Sequence, residues 1–211
     1  MKTSLSITAV CAILLGVLDR MLNRPGLLAW NLRGLLAIHQ TYSHTLALVA
    51  VGLTYLAEPI LWTALGFVIA AVIASRKAYR EAATIAIATG GAAAMTWFLK
   101  HITHEERPHL FVSPVHDSGY AFPSGHSITA SCLFVLFALL WTQDPRRRHA
   151  RPRLLAVAGA IALVIGFTRV YLGAHWPTDV IGGYLAGLAW LGVCWTGYLA
   201  AERRPEARSI A

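Results

Sequence analysis

The sequence predicts an all-α fold: a polytopic membrane helix bundle with six transmembrane helices and an interfacial segment between the first two. Three observations lead there. The 211 residues are 56% hydrophobic and only 13% charged, with a mean hydropathy of +0.56, well outside the mix of a soluble globular domain. The apolar residues gather into runs that reach, with their flanks, the ~30 Å hydrocarbon core at ~1.5 Å per residue. The arginines fall mainly in short segments between those runs. A formal net charge of +8 therefore reads as orientation in a membrane, and nucleic acid is excluded as a partner because the arginines neither line one helix nor alternate with stacking aromatics. One domain over residues 1–211 fits a length with no linker, low-complexity tract or internal repeat.

In order, the spans are expected at 4–18, 59–75, 82–99, 127–142, 154–172 and 180–201. Asp19 and Arg20 cut the first one short. Its Met-Lys start resembles a secretory signal, but no A-x-A cleavage pattern follows, so a retained helix is expected. Residues 25–42 place Trp30 and Tyr42 beside leucine pairs and Arg33, which suits a helix lying in the interface. The apolar stretch 45–57 is short to cross alone before Glu58-Pro59. It reads as interfacial or re-entrant, or as a bent extension of the second span. With six spans, Lys2, the group Arg76, Lys77 and Arg80, the run from Arg146 to Arg153, and the tail Arg203, Arg204 and Arg208 share one side, the cytoplasmic one by the positive-inside rule. Arg20, Arg24 and Arg33 run against that rule. Both termini are then cytoplasmic, and the loops 100–126 and 173–178 open on the extracytoplasmic face of the inner membrane. Cys11, Cys132 and Cys194 each stand alone in an apolar run and read as inert core thiols.

Three clusters break the oily sequence on that outer side. Lys100 and Arg107-Pro108 close the third span. Alone they read as snorkelling anchors, yet cations there oppose the charge bias unless something anionic binds. Pro123-Ser124-Gly125-His126 opens the fourth span, with Ser124 expected as N-cap and Gly125 letting the backbone come close to an anion at the helix start. An ordinary turn explains the proline, serine and glycine but not His126. Arg169 is a charge inside apolar surroundings, and His175 and Asp179, four residues apart, can share a helix face. A carboxylate there holds one ring nitrogen and leaves the other free to attack, the arrangement of an oriented nucleophile. The competing reading of that pair is a helix-capping Asp beside an interfacial His. Cations with two histidines suit phosphoryl transfer, and the oily remainder suggests that the phosphate sits on a lipid.

These residues carry a resemblance to the type 2 phosphatidic acid phosphatase (PAP2) superfamily of membrane lipid phosphatases, which shares its site with vanadium haloperoxidases and bacterial acid phosphatases. The family's motifs K-x6-R-P, P-S-G-H and S-R-x5-H-x3-D are met in order by Lys100 to Pro108, Pro123 to His126 and Thr168 to Asp179, with Thr168 standing where the family has serine. The resemblance implies that His175 is the nucleophile forming a phosphohistidine, Asp179 its orienting partner and His126 the acid for the leaving oxygen. Lys100, Arg107 and Arg169, with Ser124 and the Gly125 amide, are implied to hold the phosphate. No cofactor or metal is implied.

Several substrates remain open: undecaprenyl pyrophosphate first, then phosphatidylglycerophosphate and phosphatidic acid, with membrane lipids as surroundings and no oligomeric state indicated. A phosphotransferase passing the phosphoryl group to an acceptor such as lipid A is the second enzyme reading, and a catalytically silent scaffold the third. His101, His104, His109 and His116, near Glu105, Glu106 and Asp117, make a metal site conceivable, but without a firm ligand signature.

Overall fold

The computed structural model describes residues 2–208; the outermost positions of the expected domain, Met1 and 209–211, lie outside the described residues. In chain order it contains α1 (Lys2–Met21), α2 (Pro25–His39), α3 (His44–Leu56), α4 (Pro59–Ser75), α5 (Tyr79–Thr103), α6 (Gly125–Thr129), a π-helical segment (Ala130–Phe134), α7 (Val135–Trp141), a 3-10 turn (Pro145–Ala150), α8 (Arg151–Tyr171) and α9 (Pro177–Arg208). There is no strand among the described residues.

Among the described residues, five helical stretches are long and apolar enough to cross a membrane: Thr3–Met21, His44–Ser75, Tyr79–Thr103, Pro145–Tyr171 and Pro177–Glu202. The expected fourth span is a shorter apolar helix, Gly125–Trp141. Residues 45–57 take the bent-extension form, because α3 runs on into α4 as one apolar stretch. Pro59 makes the bend. It occupies the first turn of α4, has no N–H to give and pushes the residue before it out of helical geometry; Glu58 accordingly sits at φ −54, ψ 124. α2 forms where the interfacial helix is expected, and it buries Asn31 and Leu35 while Trp30, Leu32 and Leu36 stay exposed.

Side-chain contacts set the helix directions. Ser4 on α1 meets Thr196 on α9 at 2.8 Å, Trp190 on α9 donates to the Ala88 carbonyl on α5 at 3.1 Å, and Tyr184 on α9 donates to Ala162 on α8 at 3.0 Å. With Thr8 against Ala189, Arg80 against Tyr198 and Gly166 against Val180 as second contacts, α1, α5 and α8 run antiparallel to α9. A Cβ on Gly183 would meet Ser127 and one on Gly187 would meet the Ile128 carbonyl, so α6 and the π segment lie alongside α9 in the same direction. The ends of α5 and α8 therefore meet the starts of α6 and α9. Arg80, paired with Glu202, and Arg151 lie at the other end, and from Arg151 to Arg169 is ~27 Å at ~1.5 Å per residue.

Small residues make this packing possible, as they do where apolar surface alone cannot drive helices together in lipid. Gly91 lies under the Trp190 indole, Gly166 under Tyr184, Gly182 under Phe122 and Gly187 against Ser131. One core cluster joins Ala70, Ile85, Ala88, Cys132, Leu133, Leu136, Leu191 and Cys194. All three cysteines are free and buried. Polar side chains face inward instead of outward: Thr89, Ser127, Thr168, Arg169 and Asp179 are buried, while Val68, Ile87, Val157 and Leu163 are exposed.

Gly187→Ala would press a Cβ to 2.6 Å from the Ile128 carbonyl oxygen and is expected to cost about 1–3 kcal/mol. Gly197 has nothing within 4 Å of its would-be Cβ, so Gly197→Ala should be neutral or stabilising by up to about 1 kcal/mol. Thermal unfolding of the two variants in detergent checks the contrast.

Candidate active site

The turn between α8 and α9 places the two residues expected to act together. Gly173, at φ +69, takes the left-handed conformation that ends α8 and that other residues strain to adopt. The amides of Ala174 and His175 then bond back to the Arg169 carbonyl at 3.0 and 3.2 Å. Pro177 begins α9, and the Asp179 carboxylate reaches back to the Trp176 amide at 2.8 Å, the acidic half of a capping box. The same oxygen lies 3.1 Å from His175 Nδ1. His175 is 2% and Asp179 0% exposed. One carboxylate oxygen of Asp179 thus both accepts from the amide at the start of α9 and lies against the His175 ring.

Arg107 reaches His175 from the other side, with Nη1 3.2 Å from Nε2. A guanidinium can only donate, so Nε2 carries the lone pair and Nδ1 the proton that it donates to Asp179. Burial above all, then Arg107, Arg169, Lys100 and His126, hold His175 well below the usual imidazole range.

The three expected phosphate-binding cations stand around shared acceptors. Arg107 donates to Gly119 O at 2.9 Å and to Ala174 O at 2.8 Å. Lys100 donates to the Tyr120 carbonyl, which Arg107 also approaches at 3.4 Å. Arg169, 1% exposed, pairs with the Asp117 carboxylate, and Arg107 is 3.8 Å from the same oxygen. Burying a guanidinium in an apolar bundle is costly without a counter-charge, and Asp117 supplies one.

Ser124 and Gly125 depart in detail from the sequence expectation. Ser124 is the N-cap residue of α6, but its hydroxyl makes no cap bond; its amide donates to the Asp179 carbonyl at 2.9 Å, tying α6 to the start of α9. A Cβ on Gly125 would sit 3.0 Å from Thr96 and 3.6 Å from Pro59, so Thr96 would have to yield to any larger residue there. His126, in the first turn of α6, is 5% exposed, and its Nε2 lies 3.5 Å from Glu58 Oε2. The buried Oγ of Ser124, Nε2 of His126 and Nε of Arg169 have no hydrogen-bond partner among the described residues.

All eight expected site residues thus gather at the end of the bundle where α5 and α8 finish. Three others there escape sequence reading. Asp117 looked like one of several loop carboxylates. Glu58 looked like the residue before a helix-starting proline. Asn31 lay in a leucine-rich amphipathic stretch, yet it donates to Thr178 Oγ1 at 2.7 Å and accepts from the Thr178 amide at 3.1 Å, capping α9 from α2. The loop histidines disperse: His101 bonds the Trp97 carbonyl at 2.7 Å, His104 meets the Tyr120 ring edge-on, and among the described residues no three His, Cys, Asp or Glu side chains could hold a metal ion together.

Below the site runs an apolar groove of about 820 Å³ between α3, α4, α7 and α8, walled by Leu53, Trp62, Phe134, Val157 and Ile161 and reaching Ala57, the neighbour of Glu58.

Comparison with known proteins finds related phosphatases. Phosphatidylglycerophosphatase B of Bacillus subtilis is 40% identical over 91 residues, 43% of this chain and 44% of that protein. An undecaprenyl-diphosphatase of Sulfolobus acidocaldarius is 30% identical over 109 residues, 49% of this chain and 45% of its own length. The matched stretches thus span less than half the length of these curated relatives. The solved structure of a transmembrane PAP2 type phosphatidylglycerolphosphate phosphatase from Bacillus subtilis superposes with a TM-score of 0.82 at 26% identity, covering 90% of this chain and 94% of that one. The PAP2 superfamily model matches residues 81–203, a stretch that holds Lys100, His126 and the His175–Asp179 pair; with more than half of its length matched, the chain belongs to the PAP2 superfamily.

Proposed function

We propose that this protein is a membrane lipid phosphatase that works through a phosphohistidine on the extracytoplasmic face of the inner membrane. One observation carries the reading: the lone pair of His175 Nε2 faces a guanidinium in a cluster of three cations, while Asp179 holds the opposite ring nitrogen at 3.1 Å. In this reading Nε2 attacks phosphorus, the bond to the lipid oxygen breaks, and that oxygen takes a proton from His126. Water then attacks the phosphohistidine, gives a proton to His126, and the P–N bond breaks to release phosphate. Lys100, Arg107 and Arg169 offset the charge of the transferring group, with the Ser124 hydroxyl and Gly125 amide as further donors. The cations do what a divalent ion does elsewhere, so none is required.

The substrate is a lipid phosphate mono- or diphosphate ester. Undecaprenyl pyrophosphate is the first choice, because an outward site suits recycling of a lipid carrier; phosphatidylglycerophosphate and phosphatidic acid share the headgroup chemistry. The names of the relatives support both classes, and the groove that reaches Ala57, beside Glu58, offers hydrocarbon walls for the tail. Six crossings follow if Gly125–Trp141 spans with its flanks. The exposed arginines 146–148 then mark the cytoplasmic end, opposite the site, and the chain forms one domain.

Phosphate release from a panel of purified lipids, including undecaprenyl pyrophosphate, in detergent with EDTA tests the proposal. Full activity in EDTA is expected, and a loss restored by zinc would contradict it. His175→Ala should abolish turnover and the trapped phosphoenzyme, whereas Asp179→Ala should slow phosphoenzyme formation by about 10²–10⁴-fold.

Because His175 is held well below the usual range, Nε2 keeps its lone pair as pH falls through the ordinary imidazole value of about 6.5. Rapid-quench phosphoenzyme formation from p-nitrophenyl phosphate at about pH 6 should stay within about threefold of its value at about pH 7.5. An acid limb centred near the ordinary value would contradict this.

A further inference from the structure

Glu58 stands apart from the three motifs in sequence but touches one of their residues. It occupies the N-cap position of α4, yet its side chain makes no bond to its own helix. The carboxylate turns instead toward His126, with Oε2 3.5 Å from Nε2, and it is 40% exposed while the imidazole is 6% exposed. The groups that bear on His126 come from every side: Glu58 before α4, Arg169 on α8 and Asp117 in the loop after α5, His175 before α9, and Lys100, which ends α5 within the same cationic cluster.

An imidazolium beside these cations is repelled. Asp117 offsets part of that, but its carboxylate is already engaged by Arg169 and Arg107. Glu58 has no cation of its own among the described residues and is the remaining counter-charge in reach. At 3.5 Å and without a hydrogen bond to Nε2, it favours the protonated ring without locking the proton away from a leaving oxygen.

We infer that Glu58 is a positioning residue which favours His126 protonated on Nε2 for transfer to the leaving oxygen, an inference that rests on the phosphatase reading above. When the P–O bond breaks, its electron pair stays on the lipid oxygen and captures the Nε2 proton. The ring, then neutral, regains a proton from the water that attacks phosphorus, and Glu58 again stabilises the cation. Over the cycle no proton is gained or lost.

The test uses leaving groups that differ in their need for a proton. An alkoxide, as in dioctanoyl phosphatidic acid, needs one; p-nitrophenolate does not. For the purified full chain in detergent, Glu58→Gln should lower kcat/KM about 10–100-fold on dioctanoyl phosphatidic acid and by less than about threefold on p-nitrophenyl phosphate. The basic limb of the phosphatidic acid profile should move to lower pH. Glu58→Asp, which keeps the charge, should recover part of both effects, and it decides the question alone if the Gln variant does not fold. Equal losses on both substrates, no loss, or an unmoved basic limb would overturn the inference while leaving the phosphatase reading intact. If p-nitrophenyl phosphate is not turned over, the basic limb on phosphatidic acid decides. A native chain that releases phosphate from no lipid overturns both.

Discussion

A guanidinium that is 1% exposed in the last turn of an apolar helix is the constraint on which the rest of this structure depends. Arg169 cannot be tolerated there uncompensated. Its carboxylate partner, Asp117, comes from the loop after α5 and draws that loop over the end of the bundle. The loop brings the Tyr120 carbonyl to Lys100 and the Gly119 carbonyl to Arg107. Arg107 in turn meets His175, so the network closes on the residue that carries the chemistry. The Arg169 carbonyl also receives the amides of the nucleophile turn, which makes one residue both the buried charge and the backbone anchor of the site.

The membrane core makes that arrangement affordable by dense packing rather than by polar surface. Glycines at 66, 91, 166, 182 and 187 each meet a neighbouring side chain at the distance of a would-be Cβ, so the helices approach closely while their outward faces remain leucine, isoleucine and valine. The bend at Pro59 belongs to the same economy of space. It ends α3 beside α8 and starts α4 beside α5, and the loose end between them lands on His126.

Much of this was legible in the chain itself. Lys100, Arg107, His126, Arg169, His175 and Asp179 stand out because charge is rare in an oily sequence, and the apolar runs mark the crossing helices. What stayed hidden has physical reasons. Glu58 reads locally as a helix start before proline, and only the folded α4–α6 contact gives it a partner. Asp117 was one carboxylate among Glu105, Glu106 and several histidines, with no periodicity to select it. The π segment at Ala130–Phe134 leaves no composition signal, and the continuity of α3 with α4 was one of three open readings of 45–57. Gly125 was expected to bring the backbone close to an anion, and the packing of Thr96 against it is a second reason for glycine that the sequence did not show.

Asn31 has a consequence for how the protein is made. Part of the cap of α9 is supplied not by its own neighbours but by a side chain 147 residues earlier, and contacts of such separation form only after the intervening chain has been laid down. A nascent chain that has inserted its first helices therefore holds half of a clasp. The start of α9, next to the turn bearing His175, gains this long-range half of its cap only once α9 has been made and has docked against α2.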